Sequence, residues 1–161
     1  MAMSMGMGGL EGSSVGRWMR EALWAYPAVE TMHIIGLALL FGTIVIVDLR
    51  LLGLGRNVSA VAVTRNVLPW TLAGFAVAAV TGSLMFTAHA AEFATLPIFL
   101  LKMTLIVLGG INAALLRAGA LKSAGLWDVA TPPPRRVRAA AAVSLLLWTC
   151  VIACGRLLAY F

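Results

Sequence analysis

The sequence predicts an all-α fold: a four-transmembrane-helix bundle preceded by a short interfacial amphipathic helix. Three observations predict it. The chain of 161 residues is 61% hydrophobic and 11% charged, whereas a soluble domain is about half apolar and a quarter charged. Four apolar runs reach the roughly 20 residues that a helix needs to cross a hydrocarbon core. The basic residues behind the net charge of +6 flank those runs, where they orient a membrane protein and meet anionic lipid. Residues 1–161 therefore read as a single membrane domain, with only short loops outside the spans. No basic patch with interleaved aromatics is present, so nucleic acid is not an expected partner.

Each element has its own signals. Residues 10–22 suit an interfacial helix, with Leu10, Val15, Trp18 and Met19 as apolar contributors and Gly12 and Gly16 interrupting it. The segment before it lacks the charged start and apolar core of a cleavable signal, so the first span inserts as itself. The spans are expected at about 24–47, 69–90, 97–116 and 139–160. Pro69 and Pro97 are read as first-turn prolines, and the TPPP run at 131–134 stops the chain before the fourth span. Gly36, Gly42, Gly74, Gly82, Gly109, Gly110 and Gly155 would let helices approach closely. Cys150 and Cys154 share a helix face but have poor geometry for a disulfide, and read as small packing residues.

Charge sets the expected orientation. The first loop carries Arg50, Arg56 and Arg65, and the third carries Arg117, Lys122, Arg135, Arg136 and Arg138. The opposite side has Arg17, Arg20, Lys102 and Arg156. The positive-inside rule then places the first and third loops in the cytoplasm and both termini outside a bacterial inner membrane. Trp18, Trp24 and Tyr160 are expected at one interface, and Trp70 and Trp127 at the other. Asn57-Val58-Ser59 matches a glycosylation acceptor but falls on the cytoplasmic side.

Within this frame a polar layer emerges. His33 and His89 are the only histidines of the chain, and an ionisable side chain inside a span is a candidate functional group. His33 and Asp48 lie 15 residues apart, and so do Lys102 and Arg117, a helical rise of roughly 22 Å. His33 and Lys102 therefore share a depth near the outer face, with His89 slightly farther out. Glu30, His33, His89, Lys102 and Arg156 form one layer drawn from all four spans. Glu30 is read either as an ion-pair partner of Lys102 or Arg156 or as a solvated rim charge. In the other half, Asp48 is expected to pair with a basic residue or to hydrogen-bond Asn112, and Ser144, Trp148 and Thr149 to serve helix packing.

Three chemistries could use the outer layer. Haem b could take axial imidazoles from His33 and His89, with Lys102 or Arg156 neutralising a propionate. Copper could be held by the imidazoles together with Met85 and Met103, because thioether and imidazole suit Cu(I). Met1, Met3, Met5 and Met7 would then form a weak capture arm. The third use is structural: His33 hydrogen-bonded to a neighbouring carbonyl or hydroxyl and His89 solvated. No phosphate-binding loop, nucleophile elbow, CxxC, HExxH or dinucleotide fingerprint occurs, which argues against hydrolase or kinase chemistry.

The runs ETMHIIGLALLFGTIVIVDLRLLGL, LPWTLAGFAVAAVTGSLMF, PIFLLKMTLIVLGGINA and SLLLWTCVIACGRLLAY resemble a group of small bacterial four-helix integral membrane proteins over most of residues 24–161. More distantly, the chain is similar to the HemJ-type protoporphyrinogen oxidases and the CopD-type copper-resistance membrane proteins. The resemblance implies a four-helix core with a first-span histidine. On the HemJ side it also implies haem b, with His33 and Lys102 at the positions of that family's histidine and lysine. The HemJ-type aromatic-Leu-His-Ala-Lys run reads Phe99-Leu100-Leu101-Lys102 here, without the histidine.

The expectation is a haem b protein of the inner membrane that transfers electrons near the periplasmic face, linked to a quinone or a periplasmic redox protein. His33 is the first axial ligand, and His89, or Met85 or Met103 in its place, the second. The alternatives are a non-catalytic structural subunit packed against other membrane subunits, and a copper-handling membrane protein.

Overall fold

In the computed structural model, residues 9–119, 127–129 and 131–160 are described. All regular structure among them is helical: α1 (Ser14–Glu21), α2 (Ala25–Leu52), α3 (Ala60–Ala88), α4 (Ala90–Phe93), α5 (Pro97–Gly119) and α6 (Arg135–Leu157), followed by a 3₁₀ turn at Leu158–Tyr160. Among the described residues, α2, α3, α5 and α6 are the four helices long and apolar enough to cross a membrane. The chain is a multi-pass membrane protein. Four spans bring both ends of the described chain to one end of the bundle, here the terminal end. The α2–α3 and α5–α6 connections lie at the other, the loop end. Met1, Met3, Met5, Met7 and Lys122 lie outside the described residues.

The helices are arranged in an open arc. The most extensive packing is between α2 and α3; α2 also packs on α6, and α6 on α5, while the backbones of α3 and α5 stand apart and meet through side chains such as Phe86 and Phe99. Small residues set the α2–α3 crossing. A Cβ on Gly74 would stand 2.7 Å from the Leu40 amide nitrogen, and one on Gly36 would stand 2.9 Å from that of Ala78. Such backbone-to-backbone approach is how helices associate in lipid, where burial from water supplies little drive. The Thr71 hydroxyl adds a hydrogen bond across the pair to Thr43 at 2.9 Å. Gly109 in turn receives the Trp148 indole. Gly42 and Gly110, predicted to serve close approach as well, face open space.

The spans begin and end away from their predicted limits, for physical reasons. Helix α3 starts at Ala60 rather than near Pro69, because its first turn is capped twice. Ser59 Oγ accepts from the Ala62 amide at 3.1 Å. The Asp128 carboxylate, from the far side of the sequence, accepts from the Ala60 amide at 2.6 Å, from Val61 at 3.3 Å and from the Ser59 hydroxyl. An acidic group at a helix N-terminus meets unsatisfied N–H groups and the positive end of the helix dipole. Pro69 consequently lies inside the helix, a position tolerated in membrane helices where neighbouring groups compensate the lost backbone bond. Helix α2 runs on to Leu52 and closes at Gly53, whose φ of 111° is a left-handed conformation that glycine adopts freely.

The loop end is bolted together by Arg50. Its Nε donates to the Val58 carbonyl at 2.6 Å, and a terminal nitrogen donates to the Asp128 carbonyl. Arg50 is 4% exposed, so this predicted headgroup-facing residue is a structural tie. Trp127 departs from expectation in the same way. It is 4% exposed, in a cluster with Leu51, Ala60, Val137 and Ala141, and not in an interfacial belt. Trp18, Trp24, Trp70 and Tyr160 are exposed as an interfacial assignment requires.

At the terminal end, α1 is shorter than predicted and docks onto the bundle. Met19 is buried against Ala25 and Ala88, while Leu10, Val15 and Trp18 face outward. Gly16 allows the docking, since a Cβ there would stand 2.9 Å from the Thr87 carbonyl oxygen. Arg20 donates to the Ala88 and Glu11 carbonyls at 3.0 and 2.7 Å, and the Ala91 amide donates to the Glu11 carboxylate at 2.8 Å.

Candidate functional site

A cavity of 500 Å³ lies in the half of the bundle nearer the termini, within the roughly 300–1,000 Å³ typical of cofactor and small-molecule sites. All four spans contribute to it. Glu30 and His33 come from α2, Gly82 and Met85 from α3, Lys102 from α5, and Gly155 and Arg156 from α6. The rest of its wall is mainly apolar and includes the rings of Tyr26, Phe41, Phe86, Phe93 and Phe99. Phe86 stacks on Phe99 with centroids 5.2 Å apart, and Phe93 on Phe99 at 6.3 Å. Aromatic rings packed in this way form a rigid apolar wall with small conformational freedom.

His33 is the most closely specified group in the site. Its Nδ1 lies 3.0 Å from Thr81 Oγ1. The Thr81 hydroxyl donates its only proton to the Val77 carbonyl, at 2.6 Å. Thr81 therefore accepts from His33, which assigns the proton to Nδ1 and leaves a lone pair on Nε2. That orientation depends on Gly82, because a Cβ there would stand 3.0 Å from Cε1 of the ring. A neutral imidazole with Nδ1–H anchored and Nε2 unprotonated is the form that binds a metal.

The cations are placed separately. Lys102 lies against the backbone of Gly155, its Nζ 3.4 Å from where a Cβ would stand. Arg156 donates to the Tyr160 hydroxyl at 2.7 Å, and its guanidinium carbon lies 4.7 Å from the centroid of that ring. Glu30 is exposed on the rim. Among the described residues no ion pair joins Glu30 to Lys102 or Arg156, so the rim carboxylate occupies neither side chain.

The structure thus brings Glu30, His33, Met85, Lys102 and Arg156 to one cavity. It does not bring His89 or Met103 there. His89 lies past the end of α3, where its amide donates to the Phe86 carbonyl at 3.2 Å, and it is exposed. Its ring packs against Tyr26 and Phe93, with centroids 6.3 and 5.8 Å away. It abuts the cavity wall from outside. Met103 follows Lys102 on α5 and is 38% exposed, because consecutive helical residues are turned by about 100°. Among the described residues, no three His, Cys, Asp or Glu side chains cluster to hold a metal ion.

Sequence reasoning missed Thr81, the residue that fixes His33. Its signal is a hydroxyl followed by a glycine in mid-span, a combination that permits both hydrogen bonding and close approach. Asp48 also departs from expectation. It hydrogen-bonds Ser144, while Asn112 Nδ2 donates to the Ala140 carbonyl at 3.0 Å and so ties α5 to α6. Cys150 and Cys154 are free thiols.

Among the described residues outside the spans, Asp128 has its ionisation shifted by its surroundings. Partial burial pushes its carboxyl up. The hydrogen bonds from Ser59, Ala60 and Val61, together with the Arg50 charge, outweigh burial and hold it below the usual aspartate range.

Comparison with known proteins gives a frame without an activity. The sequence model of DUF6644, a family of unknown function, matches residues 16–161. No curated protein and no solved structure matches the chain.

Proposed function

The chain belongs to the DUF6644 family, and from that premise and the cavity around His33 we propose an integral membrane haem b protein that transfers electrons at the terminal end of the bundle. The observation that carries the reading is the imidazole of His33, anchored through Nδ1 to Thr81 at a cavity lined by two basic side chains without a carboxylate partner and by five aromatic rings. Haem b, when bound, supplies a one-electron couple tuned by its axial ligand and surroundings. His33 would hold the iron from α2. Met85, which lines the cavity from the neighbouring helix, would offer a soft second ligand in place of His89. Lys102 and Arg156 would compensate the propionates, and the aromatic wall would exclude water. The HemJ-type resemblance at His33 and Lys102 supports the same two residues. Electrons would be exchanged with a quinone or a periplasmic redox protein. The distribution of Lys and Arg supports a bacterial inner membrane with both termini on the periplasmic side.

Optical spectroscopy of the purified protein tests the reading. A Soret band, with about one haem per chain, is expected in the wild type, lost in His33→Ala and retained in His89→Ala. Absence of haem after expression with ample haem supply would overturn it. Elemental analysis of the same sample separates haem from Cu(I) held by His33 and Met85: copper near one per chain with no Soret band favours the metal ion alone. A second reading, a structural subunit of a larger membrane complex, is favoured by α5. Only 6% of its most apolar window is buried within this chain. That reading expects a cofactor-free protein that co-purifies with specific membrane partners.

A further inference from the structure

A second cavity, of 340 Å³, occupies the half of the bundle nearer the loop end. Its wall is almost entirely apolar, including Leu68, Phe75, Ile106 and Trp148, and it contains the Asp48 carboxylate. Asp48 is 3% exposed. One carboxyl oxygen is engaged by Ser144, but Oδ2 has no hydrogen-bond partner. A buried carboxylate oxygen without a donor is a costly arrangement that a structure keeps for a reason. Thr64 Oγ1, on the facing helix and in the same cavity, is likewise buried and unpartnered. The neighbouring Thr71 hydroxyl is not free in this sense, because it is committed to Thr43.

We propose that this cavity binds a neutral, membrane-dissolved molecule that carries a hydroxyl group, which donates a hydrogen bond to Asp48 Oδ2 while the apolar body fills the space between α3 and α5. The acceptor on Asp48 calls for a donor on the guest. The apolar wall excludes a guest with many polar groups, and because the lining holds one acidic side chain, Asp48, and one basic one, Arg117, it calls for no net charge on the guest. Thr64 can complete the arrangement by donating to the same hydroxyl oxygen. Entry is from the bilayer between α3 and α5, whose backbones make few close approaches and whose side-chain stack, Phe86 on Phe99, lies towards the terminal end. Both a hydroquinone and an isoprenoid alcohol satisfy this chemistry. The inference stands apart from the haem reading, because it concerns other residues in the opposite half of the bundle.

The test is equilibrium binding to the protein in lipid nanodiscs, with empty nanodiscs subtracted. The probes are duroquinol under argon and geraniol, and the controls are duroquinone and durene, which lack the hydroxyl donor. At least one hydroxyl probe is expected to bind at least tenfold more tightly than both controls, and which one binds identifies the aryl or the alkyl source. Asp48→Ala is expected to weaken that probe at least tenfold. Gly110→Leu supplies an independent variant: Gly110 lines the cavity, and a Cβ there meets nothing within 4 Å. A side chain there starts without a clash at its Cβ and is expected to narrow the space, so it too should weaken binding. Equal binding of the controls, binding of neither hydroxyl probe, or unchanged affinity in either folded variant would overturn the proposal. The Soret band of the wild type reports on the haem reading separately and is unaffected by any of these outcomes.

Discussion

At the scale of single residues, the chemistry of the terminal cavity rests on one proton. The Thr81 hydroxyl is committed to the Val77 carbonyl, so it can only accept from His33, and this assigns Nδ1–H and frees Nε2. Thr81→Val keeps the shape and removes the acceptor. Loss of such a supporting hydrogen bond typically weakens a metal site about 10–100-fold. On the proposed haem reading, haem titration of the Thr81→Val protein should show a loss in that range together with a shifted reduction potential, and Thr81→Ser should restore both. A purely structural role for Thr81 would lower stability and leave the potential of the remaining haem unchanged. A second residue-scale prediction concerns Asp128. Its carboxyl is held below the ordinary aspartate value in the folded state, so its ionised form favours folding. That contribution is complete above the unfolded value of about 3.9 and is lost as pH falls through the lowered folded value. Thermal unfolding in detergent should therefore show an acid-side loss of stability below about pH 4. Asp128→Asn should be less stable than wild type at neutral pH and should lack this part of the acid-side loss.

At the scale of elements, the α2–α3 pair is the most closely packed part of the molecule and α5 the most exposed span. The crossing of α2 and α3 has no room for a methyl group at Gly74, where a Cβ would meet backbone atoms of Leu40 at 2.7 and 3.1 Å. Backbone cannot swing aside as a flexible side chain can. Gly74→Ala should therefore destabilise the bundle by about 1–3 kcal/mol, the usual range for overpacking, read as a lower midpoint in detergent unfolding. Gly42→Ala, which meets open space, should be neutral or slightly stabilising, because alanine favours the helix. The existence of all four spans is legible in the sequence because hydropathy alone decides it. Their limits are not. The start of α3 is set by Asp128, 68 residues away from Ala60, and no local pattern announces such a cap. Trp127 and Arg50 look like interfacial residues for the same reason: the loop-to-loop contact that buries them is tertiary. The site was legible as far as depth could be counted along a helix. Counting placed Glu30, His33, Lys102 and Arg156 at one level, and they line one cavity. It failed where helical phase or helix ends matter. His89 lies beyond the last turn of α3, and Met103 is turned away from the cavity next to Lys102.

At the scale of the whole molecule, the two cavities divide the bundle along its length. The 500 Å³ cavity at the terminal end has cations, an anchored imidazole and aromatic rings; the 340 Å³ cavity at the loop end has one buried carboxylate in an apolar wall. The proposed orientation, with the loop end in the cytoplasm, rests on the charge distribution. Arg56 and Arg65 in and after the first loop, and Arg135, Arg136 and Arg138 at the start of α6, lie at the loop end. Arg50 is buried as a tie between loops and is best discounted as an orienting charge at a surface. With Arg117 added, the remaining basic residues still outnumber Arg17, Arg20, Lys102 and Arg156 at the other end, which supports the proposed placement of the loop end in the cytoplasm. An alkaline phosphatase reporter, active only outside the cytoplasm, should therefore be active when placed after Tyr160 and inactive when placed in the first loop after Arg56. Replacing Arg135, Arg136 and Arg138 together by neutral residues should reduce this asymmetry, because orientation depends on the Lys and Arg imbalance close to the span ends. The reverse pattern, with activity at Arg56 and none after Tyr160, would put the imidazole cavity on the cytoplasmic side. Its electron partner would then have to be a cytoplasmic protein or a quinone in the inner leaflet.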